Sequence, residues 1–466
     1  MKKILCVIII ILNALIVNGQ FFYKTNSFDK EEIICMSVET SKNNFLSVAT
    51  FDGLSKVLKI NKNGIVDSIT FSSEKIIRKI EKINDNRFLI SGPSFESNYI
   101  NIFVAYIDSN LNILKSQKFF VDSFSNDIRI GMLQLEDYIY IHTYLFFQTP
   151  TLEFNNKVLK IDTSLTSVEY FSPLNGQAFL FNFTYYNNRF RFLYAGNLFY
   201  YYHVYDGILS YDTNFNLVKM DSVIWTWVGD IKIMHGNYVF TGIGPSDISL
   251  ISLKDTFNNF IASKPLYDEQ SVDSYLNDQN SLVSYDDFVY ASTVYGMDLN
   301  NNTNYSSIPS YILVNKYDSN LNLRWRKFIG GDKHYYTYSI NSTIDSGCVI
   351  SGIIYDANWG NQKYDAFILV LDSLGNTISD VPDNAYLFDT ALIYPNPGSS
   401  ELNVLIPENI KTTTFELYNS VGVLCKEEQF DSDRLNLNTN ELKSGLYFYR
   451  LRQGNNIVSQ GKWVKE

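Results

Sequence analysis

The chain has 466 residues, and its 49 acidic residues outnumber its 38 lysines and arginines, which gives a formal net charge of −11. This acidic balance excludes a generic electrostatic attraction to nucleic acid or to an anionic membrane. Beyond the N-terminal apolar run the chain has three cysteines, Cys35, Cys348 and Cys425, which are too few and too scattered for a disulfide framework or a zinc site. The 34 tyrosines and 33 phenylalanines favour strands over helices, so we expect an all-β protein.

The first residues have the anatomy of a signal peptide. Lys2 and Lys3 precede an apolar run from Ile4 to Val17, and Asn18-Gly19 supplies small residues before a cleavage point. The apolar run is too short for a typical transmembrane helix. We predict that residues 1–19 are a signal peptide and that no transmembrane segment follows it. The residue directly after the cleavage point is Gln20 and not a cysteine, so we expect no lipoprotein anchor.

Two short elements then alternate along the chain at intervals of about 50 residues, which is the mark of an internal repeat. The first is a turn followed at once by an apolar strand. Its copies are Asn43-Asn44-Phe45-Leu46, Asp85-Asn86-Arg87-Phe88, Glu136-Asp137-Tyr138-Ile139, Asn187-Asn188-Arg189-Phe190, Gly236-Asn237-Tyr238-Val239, Asp286-Asp287-Phe288-Val289 and Ser346-Gly347-Cys348-Val349. The second is an apolar strand that ends in an Asp or Asn turn. Its copies are Asn61-Lys62-Asn63-Gly64, Asp108-Ser109-Asn110, Asp162-Thr163, Asp212-Thr213-Asn214, Asp318-Ser319-Asn320 and Asp372-Ser373, with a degraded copy at Lys254-Asp255-Thr256.

Each repeat unit is long enough for four strands. In the second unit we place them near 76–83, 86–92, 100–107 and 113–119. Asp and Asn suit the hairpin turns because their side chains cap the turn backbone and tolerate the left-handed conformation. Four-stranded units at this period are typical of a β-propeller, so we predict a seven-bladed β-propeller over residues 28–384. A strand-rich solenoid is the main alternative, although its repeat is usually shorter.

One unit also resembles the repeat of secreted bacterial propellers. It runs Asp318-Ser319-Asn320-Leu321-Asn322-Leu323-Arg324-Trp325 and is followed by Gly330-Gly331. The resemblance implies a fold and no particular substrate. Trp325 is the only tryptophan at this place in the repeats, which argues against a propeller dehydrogenase with a quinone cofactor.

In a propeller, two sets of loops share one face, and by analogy we place the ligand there. The candidates combine aromatic rings, which stack on sugar faces, with polar groups, and they equally suit a protein partner. They are Tyr200, Tyr201, Tyr202, His203, Asp332, His334 and Trp359. We predict a non-enzymatic module that binds a glycan or a protein. The alternatives are a divergent propeller hydrolase that uses Asp268, Asp273 and Asp332 on a polysaccharide, and a structural spacer or adhesin.

Recognisable catalytic motifs are missing from the sequence. It contains no Gly-rich phosphate loop, no G-x-S-x-G and no H-E-x-x-H, and its four histidines have no metal-ligand spacing. The Asp-x-Asn turns could suggest calcium, but the twelve-residue loop with its final Glu is missing, so we interpret them as hairpin caps. We predict no catalytic residue, no metal and no cofactor. We expect Cys35 and Cys348 to be buried thiols, with a disulfide between them as the alternative.

The C-terminal part carries three ordered motifs: Tyr394-Pro395-Asn396-Pro397, then Gly445-Leu446-Tyr447, then a last strand containing Lys462. This segment, residues 386–466, resembles the type A C-terminal sorting domain of proteins exported by the type IX secretion system. The resemblance implies passage through the periplasm, the secretion machinery as a partner, and a secreted or cell-surface protein. Alternating strands fit a small β-sandwich, with candidates at 402–406, 412–418, 423–429, 434–437, 446–452 and 457–464.

Overall fold

The structure is a computed structural model of the chain. It describes residues 21–24, 32–61, 64–96, 99–123, 127–147, 153–173, 179–195, 207–222, 227–243, 249–257, 259–267, 274–275, 280–285, 287–296, 309–355, 364–376, 391–406, 413–432, 434–454 and 456–466. These residues contain strands and turns and no helix, so none of them forms a helix that could cross a membrane. The expected all-β class is confirmed.

Between residues 21 and 376, the described residues form seven antiparallel sheets, six of four strands and one of five. The first strand in the chain, β1 (Phe21–Lys24), belongs to the last of these sheets. The first sheet contains β2 (Glu32–Ser41), β3 (Asn44–Phe51), β4 (Leu54–Asn61) and β5 (Gly64–Thr70). The second contains β6 (Lys79–Asn84), β7 (Arg87–Glu96), β8 (Tyr99–Ile107) and β9 (Ile113–Ser123). The third contains β10 (Asp127–Leu135), β11 (Tyr138–Phe147), β12 (Glu153–Asp162) and β13 (Val168–Phe171).

The fourth and fifth sheets repeat this order of strands. In the sixth, two short strands both pair with the next strand, and the seventh takes its fourth strand from the start of the chain. The fourth contains β14 (Phe179–Tyr186), β15 (Arg189–Ala195), β16 (Gly207–Tyr211) and β17 (Leu217–Ser222). The fifth contains β18 (Trp227–Met234), β19 (Asn237–Ile243), β20 (Ser249–Lys254) and β21 (Phe260–Pro265). The sixth contains β22 (Ser274–Tyr275), β23 (Leu282–Tyr285), β24 (Phe288–Tyr295), β25 (Tyr311–Asp318) and β26 (Leu323–Gly330). The seventh contains β27 (His334–Ser342), β28 (Cys348–Tyr355), β29 (Tyr364–Leu371) and the distant strand β1.

The seven sheets form a ring. The innermost strands β2, β6, β10, β14, β18, β23 and β27 contact one another in that order, and β27 returns to β2. The return is also polar, because Ser37 Oγ lies 2.6 Å from Ser351 Oγ and Asn341 Nδ2 donates to the Ser37 carbonyl at 2.9 Å. Strand β1 pairs with β29, with Phe21 opposite Val370. The seventh sheet therefore includes residues that precede residue 28, the predicted start of the repeats.

Burial explains the pattern of each strand. Middle strands such as β8 are buried along almost their whole length, because neighbouring sheets cover both faces. Their sequences are therefore continuous apolar runs. Fourth strands such as β9 are largely exposed and more polar. The four strands predicted for the second unit are confirmed, within a few residues, by β6 to β9.

The turn that follows the third strand uses one hydrogen-bond pattern in five of the described sheets. An aspartate Oδ1 accepts from the backbone N–H two and four residues later, and its Oδ2 accepts from the Asn side chain four residues later. The aspartates are Asp108, Asp212, Asp255, Asp318 and Asp372. Asp162 uses Thr166 and Ser167 instead. The turns are capped as expected, and the copy at Asp255 that looks degraded in sequence makes the full set of bonds.

Replacing Asp318 with alanine should therefore lower the free energy of unfolding by about 1–3 kcal/mol at pH 7. Asp318 is 7% exposed, and its carboxylate also accepts from Arg324 Nη2 at 2.8 Å. Burial raises the pKa of Asp318, but the hydrogen bonds from Asn322 and Asn320 and the charge of Arg324 hold it below its ordinary value. A depressed pKa stabilises the fold above the ordinary pKa of about 4 and loses that effect as the pH falls through the folded value.

Urea unfolding of both proteins at pH 7 and at pH 3 measures this effect. The cost of Asp318→Ala should shrink at the lower pH, and Asp318→Asn, which keeps the Oδ1 acceptor, should cost less than alanine at pH 7. A cost that is the same at both pH values would contradict the role of the carboxylate charge.

Residues 391–466 form two further sheets around a single core. One sheet contains β30 (Leu392–Tyr394), β31 (Glu401–Leu405) and β34 (Arg434–Asn438); the other contains β32 (Thr413–Asn419), β33 (Leu424–Phe430), β35 (Gly445–Gln453) and β36 (Asn456–Lys465). Side chains of both sheets meet at Val404, Leu417 and Trp463. The six predicted strands are present, and β30 is additional. Cys35, Cys348 and Cys425 are free thiols, so the alternative of a Cys35–Cys348 disulfide was wrong.

Candidate functional site

A cavity of about 570 Å³ lies on the axis of the ring, and we call it the axial cavity. Each of the seven innermost strands contributes to its wall. The charged and amide side chains that line it are Glu39, Lys79, Glu81, Lys82, Asn182, Lys232, Asn280 and Asn341. Its volume is within the range of roughly 300–1,000 Å³ that is usual for sites of small molecules.

Asp230 forms the centre of a buried network beside this cavity. The residue is 0% exposed, and its Oδ1 accepts from Lys232 Nζ at 3.0 Å, from Asn182 Nδ2 and from its neighbour's backbone N–H. Its Oδ2 accepts from the backbone N–H of Leu282 at 3.2 Å. The carboxylate thus joins β14, β18 and β23, and a buried charge of this kind is tolerated because it is paired and hydrogen-bonded.

Lys79 and Glu81 project into the axial cavity from β6. They are two residues apart, so they share one face of the strand. Lys79 is 6% exposed, and its Nζ donates to Asn280 Oδ1 at 3.1 Å. Burial lowers the pKa of Lys79 to about 8, against the opposing influence of Asp230.

Glu81 has the opposite shift. Burial raises the pKa of the Glu81 carboxyl to about 7, although a hydrogen bond from the backbone of Gln134 and the charge of Lys232 oppose this. Its Oε2 is buried and has no hydrogen-bond partner within the described part of the chain. The cavity therefore contains an ammonium group and a carboxyl group that both titrate near neutral pH.

Glu39, which also lines the cavity, already has hydrogen-bond partners within the protein. Glu39 Oε1 accepts from the backbone N–H of Asn43 at 2.8 Å, and its Oε2 accepts from that of Ile344 at 2.5 Å. Both partners lie in turns that connect first and second strands. The apolar part of the wall is made by Met36, Met132, Phe183 and Ile340.

The residues predicted to bind a ligand are not brought to this cavity where the structure describes them. Asp332 is exposed before β27 and accepts from Tyr335 OH at 2.6 Å, whereas His334 is buried at the start of the same strand. The cavity uses Ile340 and Asn341 of β27, six or more residues further on and thus roughly 20 Å along the strand. Tyr200, Tyr201, Tyr202, His203 and Trp359, and the alternative carboxylates Asp268 and Asp273, lie outside the described residues.

The sequence interpretation missed the polar residues of the axial cavity. The available signal was a charged side chain inside a predicted innermost strand, as in Lys79-Ile80-Glu81 and Asp230-Ile231-Lys232. Among the four histidines, His142 is buried against the rings of Phe183 and Phe192, and burial lowers its pKa to about 4. No three His, Cys, Asp or Glu side chains of the described residues lie together as a metal site would require.

The C-terminal sheets bring the first and last predicted motifs into direct contact. Trp463 is 0% exposed, and its Nε1 donates to the Pro395 carbonyl at 2.8 Å. Asn396 Oδ1 accepts from the backbone N–H of Val464 at 2.9 Å, and Asn396 Nδ2 donates to the Lys462 carbonyl at 3.0 Å. We call this contact the terminal clasp: Tyr394 to Pro397 against Lys462 to Val464.

The other motif residues have separate places. Tyr447 is buried with its ring centroid 5.8 Å from that of Trp463, and its OH donates to the Lys443 carbonyl at 2.8 Å. Gly445 begins β35 with a φ of 153°, a backbone conformation that favours glycine. The Lys462 side chain is exposed. Position 462 therefore serves the fold through its backbone and leaves its charge accessible.

Comparison with known proteins identifies this part of the chain. Residues 392–466 match the family model of the secretion system C-terminal sorting domain. The domain marks export by the type IX secretion system, to the cell surface or the extracellular space, and implies interaction with that machinery. The match covers only this C-terminal segment, and no curated protein matches the chain.

Solved structures resemble the chain only distantly. A puromycin hydrolase has a TM-score of 0.47 at 7% identity, over 84% of this chain and 62% of the hydrolase. A prolyl endopeptidase has a TM-score of 0.40 at 12% identity, over 70% of this chain and 46% of the peptidase. The hemagglutinin-neuraminidase ectodomain of parainfluenza virus 5 has a TM-score of 0.37 at 10% identity, over 62% and 80%. The chain thus spans about half the length of the prolyl endopeptidase, and these likenesses carry no inference about activity.

Proposed function

We propose that this protein is a secreted or cell-surface binding module that recognises a glycan without turning it over. The observation that carries the proposal is the axial cavity, whose wall mixes lysine, amide and carboxyl groups with apolar side chains. Sugars need both kinds of surface, because their hydroxyls form hydrogen bonds while their C–H faces pack on apolar groups. A cavity of this size favours a small saccharide or a chain end over a protein partner.

The proposed architecture is a seven-bladed β-propeller over residues 28–384, closed by β1, and a small β-sandwich over residues 386–466, after a signal peptide at 1–19. The ring of contacts among the innermost strands supports the propeller. The shared core of the two C-terminal sheets supports the sandwich.

The loop face remains a second proposed ligand surface, with Tyr200 to His203, Asp332, His334 and Trp359 as its residues. Its aromatic rings and amides suit a glycan or a protein ligand equally.

A glycan array and a polysaccharide pull-down with the purified full-length mature protein should give binding without release of reducing sugar. Trp359→Ala and Tyr201→Ala test the loop face in the same assay. Released reducing sugar would replace this proposal with the hydrolase alternative and direct mutagenesis to Asp268, Asp273 and Asp332. Failure to bind any glycan would contradict the proposal and favour a protein partner, a spacer or an adhesin.

A further inference from the structure

In and beside the axial cavity, the acidic groups Asp230 and Glu39 have more hydrogen-bond partners than the lysines do. Asp230 and Glu39 are each held by several donors of the protein. Lys79, in contrast, donates to one amide oxygen, that of Asn280, and Lys232 Nζ reaches Asp230 from a side chain that is 31% exposed. An ammonium group carries three donors, so the two lysines have capacity for a further acceptor. The carboxylates of Asp230 and Glu39 are thus already engaged by the protein.

Strand β6, which carries Lys79, also carries a buried acceptor without a donor. Glu81 Oε2 is buried without a hydrogen-bond partner among the residues that the structure describes, and leaving a buried polar atom unsatisfied costs free energy. A hydroxyl donor of a ligand would satisfy it. A fully ionised inorganic anion such as chloride or sulfate would not, because it carries no hydrogen-bond donor. The ligand that meets both requirements has an anionic group and hydroxyl groups on one small frame.

We infer that the axial cavity selects an acidic saccharide, a monosaccharide or chain end that bears a carboxylate. Its carboxylate would lie against Lys79 and Lys232, and its hydroxyls against Glu81 and the amide of Asn280. The apolar faces of Met36, Met132 and Ile340 would pack against its ring. This inference rests on the proposed function and assigns it a class of ligand.

The charges around Glu81 give the binding a direction with pH. Glu39 of β2, Lys79 and Lys82 of β6 and Lys232 of β18 line the cavity with Glu81. Asp230 lies behind Lys232, and the backbone of Gln134 donates to Glu81. Glu81, with its pKa raised to about 7, gains a proton as the pH falls from 8 to 6, while Lys79 gains positive charge from a pKa of about 8. Both changes favour a carboxylate ligand, so its affinity should rise as the pH falls.

Isothermal titration of the full-length mature protein with galacturonate, galactose and acetate tests this inference. We expect galacturonate to bind at least about tenfold more tightly than either of the other two at pH 6, a difference of about 1.4 kcal/mol. Galactose supplies the hydroxyls without the charge, and acetate supplies the charge without the hydroxyls. Equal affinity for galactose or for acetate would overturn the inference, and so would no binding of any of the three.

Two variants assign the effect to the cavity. Lys79→Met roughly keeps the length of the side chain and should lower the affinity for galacturonate by about tenfold or more. Lys115→Met, on the exposed strand β9, should leave this affinity unchanged. Glu81→Gln keeps the shape of the side chain and removes its titration. The variant should bind galacturonate more tightly than the parent at pH 8 and should lose most of the difference in affinity between pH 6 and pH 8. An unchanged pH profile in Glu81→Gln would overturn the inference even if Lys79→Met fails to fold. If the protein binds neutral glycans on the array and neither variant changes this binding, the proposed function stands and only this inference is refuted.

Discussion

Replacing Trp463 with alanine should unfold the C-terminal sheets and stop export to the cell surface. Trp463 is fully buried in the core of these sheets, packs on Tyr447 and donates a hydrogen bond to Pro395 across the terminal clasp. Truncation of a large buried aromatic residue costs about 3–5 kcal/mol, which is a large part of the stability of a small domain. Thermal unfolding and protease digestion of intact cells measure the two parts of the effect.

Lys462→Ala is the matched control for this prediction. Its side chain is exposed and only its backbone carbonyl takes part in the clasp, so the variant should stay within about 0.5 kcal/mol of the parent. A folded Lys462→Ala protein that is not exported would show that the lysine is recognised by the machinery. Deletion of residues 392–466 serves as the control for complete loss of export, and we expect the deleted protein to stay in the periplasm. Normal surface delivery of Trp463→Ala together with an unfolded C-terminal part would contradict a role for the folded sheets in export.

Replacing Asp230 with alanine should destabilise the ring by about 3–5 kcal/mol, the usual cost of removing one partner from a buried charged network. The change leaves Lys232 Nζ, Asn182 Nδ2 and the Leu282 N–H without their acceptor. Three neighbouring innermost strands therefore lose a shared contact. Chemical denaturation of the full-length protein should show a lower midpoint.

Asp67→Ala provides the comparison for this loss. Asp67 is exposed on β5, where its carboxylate accepts from the backbone N–H of Ser68, so its removal should change stability by no more than about 0.5 kcal/mol. Asp230→Asn keeps one acceptor and should fall between the two. If Asp230→Ala and Asp67→Ala unfold at the same midpoint, the buried network does not stabilise the ring.

The strands and turns could be predicted because their signals are local. Asp108 and Asp318 cap turns through bonds to residues within four positions, and such bonds leave a pattern that a single sequence displays. The terminal clasp joins residues 68 positions apart, yet its two motifs are individually recognisable, so the sorting domain was also identified from sequence.

The axial cavity could not be predicted because it has no local signal. Lys79 and Asn280 are 201 positions apart and meet only when the ring closes. Which face of an innermost strand points to the axis is decided by packing between sheets, and a charged residue in such a strand could equally face solvent. The aromatic candidates from Tyr200 to His203 show the reverse case, since their sequence pattern is clear while their position lies outside the described residues.

The pairing of β1 with β29 has a consequence for how the molecule assembles. Residues more than three hundred positions apart share one ladder, with Phe21 opposite Val370 and Lys24 opposite Phe367. Until that ladder forms, β29 presents a row of unpaired backbone groups that another chain could extend. Contacts of such sequence separation form slowly. The pairing of β1 therefore covers the edge of β29, and we expect a chain without residues 21–24 to self-associate more readily.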